Sequence, residues 1–264
     1  MDASSHTWFQ SLLLNRQLRK AIRRNVRRYG PLVTGVLSFL IFRVLSSWSF
    51  AAILMVALLV HEYGHYVVAR RLGIKVSGPY FIAIIGAFVK LDQDVTSRRD
   101  ETYIALAGPF AGSIMTLASA MGFVLTQNPY LAVIAFIAGA INVLQMVPML
   151  PLDGGRALWG IVFSIHPYIG IATSVVVVLT SVVLAVLGSP SIIFLIFVPF
   201  MIPRIFGEIK AARRHKPLQV PMGKRDILLS SLACAAITVG LGVMLVYVVL
   251  NADGISALDT LAHF

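Results

Sequence analysis

His61, Glu62 and His65 stand together in the run His-Glu-Tyr-Gly-His. On a helix, His61 and His65 are four residues apart and project from one face, so both imidazoles can bind one Zn2+ with Glu62 beside it. A soluble metallopeptidase would show the same spacing. Here the motif lies near the end of an apolar stretch from Trp48 to Ala69. Ionisable groups are expensive in hydrocarbon and usually face an interior site or a water-filled cavity.

A string this short also arises by chance, and paired buried histidines can be hydrogen-bonded structure. A third ligand separates the two readings. The segment Pro148-Met149-Leu150-Pro151-Leu152-Asp153-Gly154-Gly155-Arg156 offers an isolated carboxylate at the end of a later apolar stretch. Prolines 148 and 151 interrupt helical hydrogen bonding, and the glycine pair permits tight turns, so Asp153 can be aimed back into a bundle. Two His and one Asp leave a tetrahedral position open, as in catalytic rather than structural zinc sites.

The elements that must position these residues are membrane helices. Hydrophobic residues make up 58% of the 264-residue chain and charged residues 12%, against roughly 25% charge in soluble domains. Runs approaching the roughly 20 apolar residues that cross a bilayer fall near 32–47, 48–69, 103–125, 129–150, 168–187, 190–206 and 227–250. The reading is an all-α polytopic protein with about six to seven transmembrane helices. In the seven-span version, every Lys and Arg except Arg43 falls on one side. By the positive-inside rule that side is cytosolic, which puts the N-terminus and the His61 end of the site inside.

The net charge of +11 is accounted for by topology and by anionic lipid headgroups, and nucleic acid is not expected as a partner. Residues 1–30 form a basic segment in which Leu14, Leu18, Ala21, Ile22 and Val26 share one helical arc. That pattern suits an interfacial helix or a basic topology signal. Residues 31–250 form one membrane-embedded domain with its motif-bearing core at about 48–206, and 251–264 form a short tail. No cleavable signal peptide is evident. Cys234 is the single cysteine, which excludes an intramolecular disulfide and makes thiolate ligation improbable.

Taken in order, four features resemble the site-2 protease family of intramembrane zinc metalloproteases: His61 to His65, Gly86-Ala87-Phe88-Val89, Ala107-Gly108-Pro109, and Pro148 to Gly155. The resemblance is to the compact form, without a PDZ or other soluble regulatory domain. It implies a single catalytic Zn2+ held by His61, His65 and Asp153, with Glu62 as the catalytic acid/base. It also implies a membrane-dipping hairpin after the histidine helix, in which Gly86 and Phe88 would meet substrate by strand addition. Pro79 to Leu91 is too short to span and rich in β-branched residues, which agrees with a short membrane-associated β-hairpin.

One departure concerns the family's asparagine before the last motif, where Gln145 stands here and Asn142 lies one turn earlier. Either amide could bond the substrate backbone or a developing oxyanion, or serve as interhelical polar packing. The implied activity is hydrolysis of peptide bonds in or near the transmembrane segment of membrane-anchored proteins. Its partners would be a membrane-spanning protein substrate, the lipid bilayer and a separate regulatory membrane protein. A polytopic transporter or a noncatalytic metal-binding scaffold would also bury His, Glu and Asp between helices. The outer halves of these spans are almost wholly apolar, which disfavours transport.

Overall fold

The computed structural model describes residues 25, 26, 28–83, 86–187 and 195–251. Most of the basic N-terminal segment and nearly all of the C-terminal tail lie outside these residues.

The first described helix, α1, runs over Arg28–Leu45. Ser47 then caps α2 (Trp48–Arg71), its hydroxyl accepting from Phe50 N at 3.1 Å, and Arg70 and Arg71 close the last turn where cations suit the helix dipole. Next come two antiparallel strands, β1 (Val76–Ile82) and β2 (Gly86–Leu91). Val76 pairs with Leu91 and Ile82 with Gly86, with an irregularity between Ser77 and Tyr80. The Thr34 hydroxyl accepts from Phe81 N at 3.2 Å, which ties the hairpin to α1. The expected hairpin is therefore present and begins a few residues earlier than the pattern from Pro79 suggested.

Ser97 caps α3 (Arg98–Thr126), the longest helix, which packs against four others. These are α2, α4 (Pro129–Gln145), α5 (Asp153–Ile165) and α8 (Lys224–Asn251). Outside that core, α6 (Pro167–Val186) packs on α5, and α7 (Val198–Arg213) packs on α6. Ala57 of α2 meets Val133, Ile137 and Ala138 of α4 in one apolar cluster. Leu106, Met146, Ala157, Ile237 and Leu241 join α3, α5 and α8 in another. On the opposite surface, α6 exposes Val176, Leu179 and Val183, as a helix facing hydrocarbon would.

Among the described residues, five helices are long and apolar enough to cross a bilayer: α1, α2, α3, α6 and α8. At 17 residues, α4 is a shorter apolar helix, rising roughly 26 Å. The count of six to seven is therefore not reached on length and composition. Two apolar runs account for the difference. The 129–150 run stops being helical at Gln145, because Pro148 and Pro151 cannot continue the hydrogen-bond ladder and residues 146–152 form turns. The 190–206 run falls partly outside the described residues, and α7 continues past it through Glu208, Lys210 and Arg213. The sequence reading had no helix at α5, where a hydrophilic start and two glycines masked an apolar face built from Ala157, Ile161 and Val162.

Candidate metal centre

Helix α2 presents His61 and His65 on its inward face, and both are buried. Their Nε2 atoms lie 3.1 Å apart. Asp153, the first residue of α5, enters from the other side: its Oδ2 lies 3.1 Å from His61 Nε2 and 3.0 Å from His65 Nε2. The three residues the sequence proposed as ligands thus converge into a group that could hold a metal ion.

The opposite ring nitrogens decide what this convergence means. His65 Nδ1 lies 2.6 Å from the carbonyl of Ile104, which can only accept, so Nδ1 carries the hydrogen. His61 Nδ1 lies 2.8 Å from Asn142 Oδ1, while Asn142 Nδ2 donates to Ala138 O at 2.7 Å and so fixes the amide's orientation. Neutral imidazoles protonated at Nδ1 turn bare lone pairs on Nε2 toward each other and toward a carboxylate oxygen. Asp153 Oδ2 also has no hydrogen-bond donor. Three electron-rich atoms crowd one point, a configuration that a shared cation relieves. The 3.0 to 3.1 Å spacings approach the ~3.3 Å edge of a tetrahedron with bonds of about 2 Å, and the N, N, O donor set suits zinc.

Helix packing sets this geometry. A Cβ on Gly108 would overlap the His65 ring and crowd His61, and one on Gly64 would overlap the backbone at Ala107. Bare backbone at these two positions lets α3 approach α2 closely enough for Ile104 to reach His65. Gly154 and Gly155 act in a similar way rather than as turn formers. They lie inside α5, with backbone from Met146 and Met149 occupying the space a side chain would need.

Glu62 is buried and lines a cavity of about 240 Å³ together with His61, His65, Asp153, Phe88 and Gln145. Val89 of β2 lines the same cavity. The proposed substrate contacts fall in different places. Gln145 and the exposed ring of Phe88 face the cavity, while Gly86 opens β2 opposite Ile82 and does not line it. Asn142 is fully buried, with its amide engaged by His61 and Ala138, which places it behind the ligand rather than in front of it. The sequence reading missed the Ile104 carbonyl, which carries no side-chain signal, and treated Arg156 only as a topology charge. His166 accepts from Tyr168 N at 3.3 Å and caps α6.

Together the fold and centre define a multi-pass helical protein in which, among the described residues, a His, His, Asp group that could hold a metal ion lies beside a buried glutamate. Residues 49–130 match the model of Peptidase family M50, the site-2 protease family that the motifs resemble. The match includes the histidine helix and the hairpin but ends before Asp153. Among curated proteins, the chain is 31% identical over 131 residues to "Probable zinc metalloprotease EGY1, chloroplastic" of Arabidopsis thaliana, covering 42% of this chain and 22% of that one. It is 29% identical over 125 residues to a zinc metalloprotease of Methanocaldococcus jannaschii, covering 44% and 35%. These alignments span about a third or less of the relatives' own length. A solved site-2 protease from Methanocaldococcus jannaschii aligns at a TM-score of 0.41 and 20% identity, covering 68% of this chain and 88% of that one.

Proposed function

We propose that this protein is an intramembrane zinc metalloprotease that hydrolyses peptide bonds in or near the transmembrane segment of membrane-anchored proteins. The observation that carries the reading is the convergence of His61 Nε2, His65 Nε2 and Asp153 Oδ2 in a cavity shared with Glu62. His61, His65 and Asp153 would hold the ion, and the zinc metalloprotease names of the relatives support its identity. When bound, Zn2+ supplies Lewis acidity toward water and the scissile carbonyl.

The remaining steps belong to the chain. Glu62 takes a proton from the attacking water and returns it to the departing amine nitrogen as the C–N bond breaks. Its burial keeps that proton from bulk solvent. Asn142 and the Ile104 carbonyl hold the two imidazoles in the tautomer that leaves Nε2 free to ligate. The hairpin can pair with an unwound substrate segment and satisfy the amides that unwinding exposes. Gln145 can donate its amide to the substrate carbonyl, and Phe88 can cover its apolar side chains. The cationic ends of α2 and α3 support a centre near the cytosolic face, from which water would enter.

Co-expression with tagged single-span substrates, comparing wild type with Glu62→Gln at matched membrane levels, tests the proposal. Wild type is expected to cleave and Glu62→Gln to lose on the order of 10²–10⁴-fold in rate while retaining zinc in the purified protein. Equal cleavage by the two forms would remove Glu62 from the mechanism.

A further inference from the structure

The two carboxylate oxygens of Asp153 face different surroundings. Oδ2 points at the imidazoles, whereas Oδ1 accepts from Arg156 Nη1 at 3.3 Å, one turn further along α5. Arg156 also lines the cavity, and its side chain is 24% exposed. On its other side, Nε lies 3.8 Å from Oε1 of Glu101, in the first turn of α3. Glu101 in turn accepts from Arg204 Nη2 of α7, 3.0 Å from Oε2, and from the Gln219 side chain. The segment bearing Gln219 is fastened to the start of α3, since Gln219 Nε2 donates to Val95 O at 2.8 Å and Arg98 N to Val220 O at 3.0 Å. A file of alternating charges, Asp153, Arg156, Glu101 and Arg204, therefore runs from the candidate ligand to α7.

We infer that Arg156 is a positioning residue that dedicates one oxygen of Asp153 to the metal, and that Glu101, held by Arg204 and Gln219, aims Arg156. The inference rests on the zinc reading of the centre. A carboxylate with both oxygens free can rotate or ligate through either one; a charge-assisted bond to Oδ1 leaves Oδ2 as the ligand and fixes its direction. An unopposed guanidinium would also draw electron density from the carboxylate, and the Glu101 charge offsets that pull. Arginine suits the position because its rigid fork addresses a carboxylate on α5 and another on α3 at once. A lysine ammonium is a point donor on a flexible stem and can serve one of them well.

The full chain is purified with Arg156→Ala, Arg156→Lys and Glu101→Gln, and Zn2+ affinity is read by competition with a chromophoric chelator. The absorption bands of the Co2+-loaded proteins report the ligand geometry. Arg156→Ala is expected to bind Zn2+ on the order of 10–100-fold more weakly and to shift the Co2+ bands. Arg156→Lys should recover part of both, and Glu101→Gln should move both the same way by less. Glu101→Gln keeps the test open should Arg156→Ala fail to fold. A purely structural Arg156 would lower thermal stability while leaving Zn2+ affinity and the Co2+ bands of the folded protein as in wild type, which overturns the inference. A wild type that binds no Zn2+ removes the centre itself. A wild type that binds tightly, with the variants equal to it, removes only the role of Arg156.

Discussion

At the start of α5, Asp153 meets His61 and His65; further along the same helix, Trp159 meets Glu208 and Phe163 meets Arg98, and the two buried clusters are built on opposite electrostatic plans. In the second, Arg98 Nη2 donates to both oxygens of Glu208 at 2.8 and 3.0 Å, and Trp159 Nε1 adds a bond at 3.3 Å. The guanidinium also lies 5.2 Å from the centre of the Phe163 ring. Cation and anion are paired through Nη2, while Nε and Nη1 of Arg98 are buried without a hydrogen-bond partner, and the cluster joins α3, α5 and α7. In the first cluster, lone pair faces lone pair, and the protons that could have separated them are engaged at Nδ1. An ion pair carries its own counter-charge inside the protein; a convergence of lone-pair atoms on one point leaves a demand that a cation meets. Both are buried and polar, so burial alone does not distinguish architecture from a site.

The sharpest way to break this contrast is to remove one carboxylate from each cluster. Asp153→Ala is expected to abolish stoichiometric zinc, measured by elemental analysis of the purified protein, while thermal unfolding stays close to that of the metal-free wild type. Glu208→Ala should do the reverse. It strands a buried guanidinium, for which a loss of roughly 3–5 kcal/mol is the usual scale, yet all three ligands remain and the folded fraction should still bind zinc. If Glu208→Ala loses zinc without losing stability, the two clusters are not separate in kind.

A smaller effect sharpens the first half of the comparison. Asn142→Leu removes the acceptor at His61 Nδ1 and leaves that nitrogen facing an apolar side chain. Zinc affinity by chelator competition is expected to fall on the order of 10–100-fold, with cleavage restored in part by excess zinc. A loss of cleavage with unchanged zinc affinity would instead return Asn142 to the substrate-contacting role considered from the sequence.

Legibility differed between the two regions for a physical reason. His61, Glu62, His65 and Asp153 stood out because metal chemistry needs particular side chains, and the i, i+4 spacing puts two of them on one helix face wherever the helix lies. The hairpin was readable because a short β-branched run beside glycine suits neither a spanning helix nor a solvated loop. Arg98 and Glu208 carried no comparable signal: 110 residues separate them, and each resembles the ordinary charges at the end of a membrane helix. The same limit hid α5, whose apolar face follows a proline-rich turn, and it led 129–150 to be read as one span where α4 ends at Gln145.

Composition and local pattern thus determined the membrane character, the helical class, the hairpin and the identity of the candidate ligands, since each depends on residue type and near-neighbour spacing. Tertiary structure alone decided that Asn142 stands behind His61, that Ile104 offers its carbonyl to His65, and that Gly64 and Gly108 let α2 and α3 close on the imidazoles. It also decided that Arg156 lies between Asp153 and Glu101. Hydrogen-bond direction and backbone approach are set by how helices far apart in the chain pack together, and no local window of the sequence contains that information.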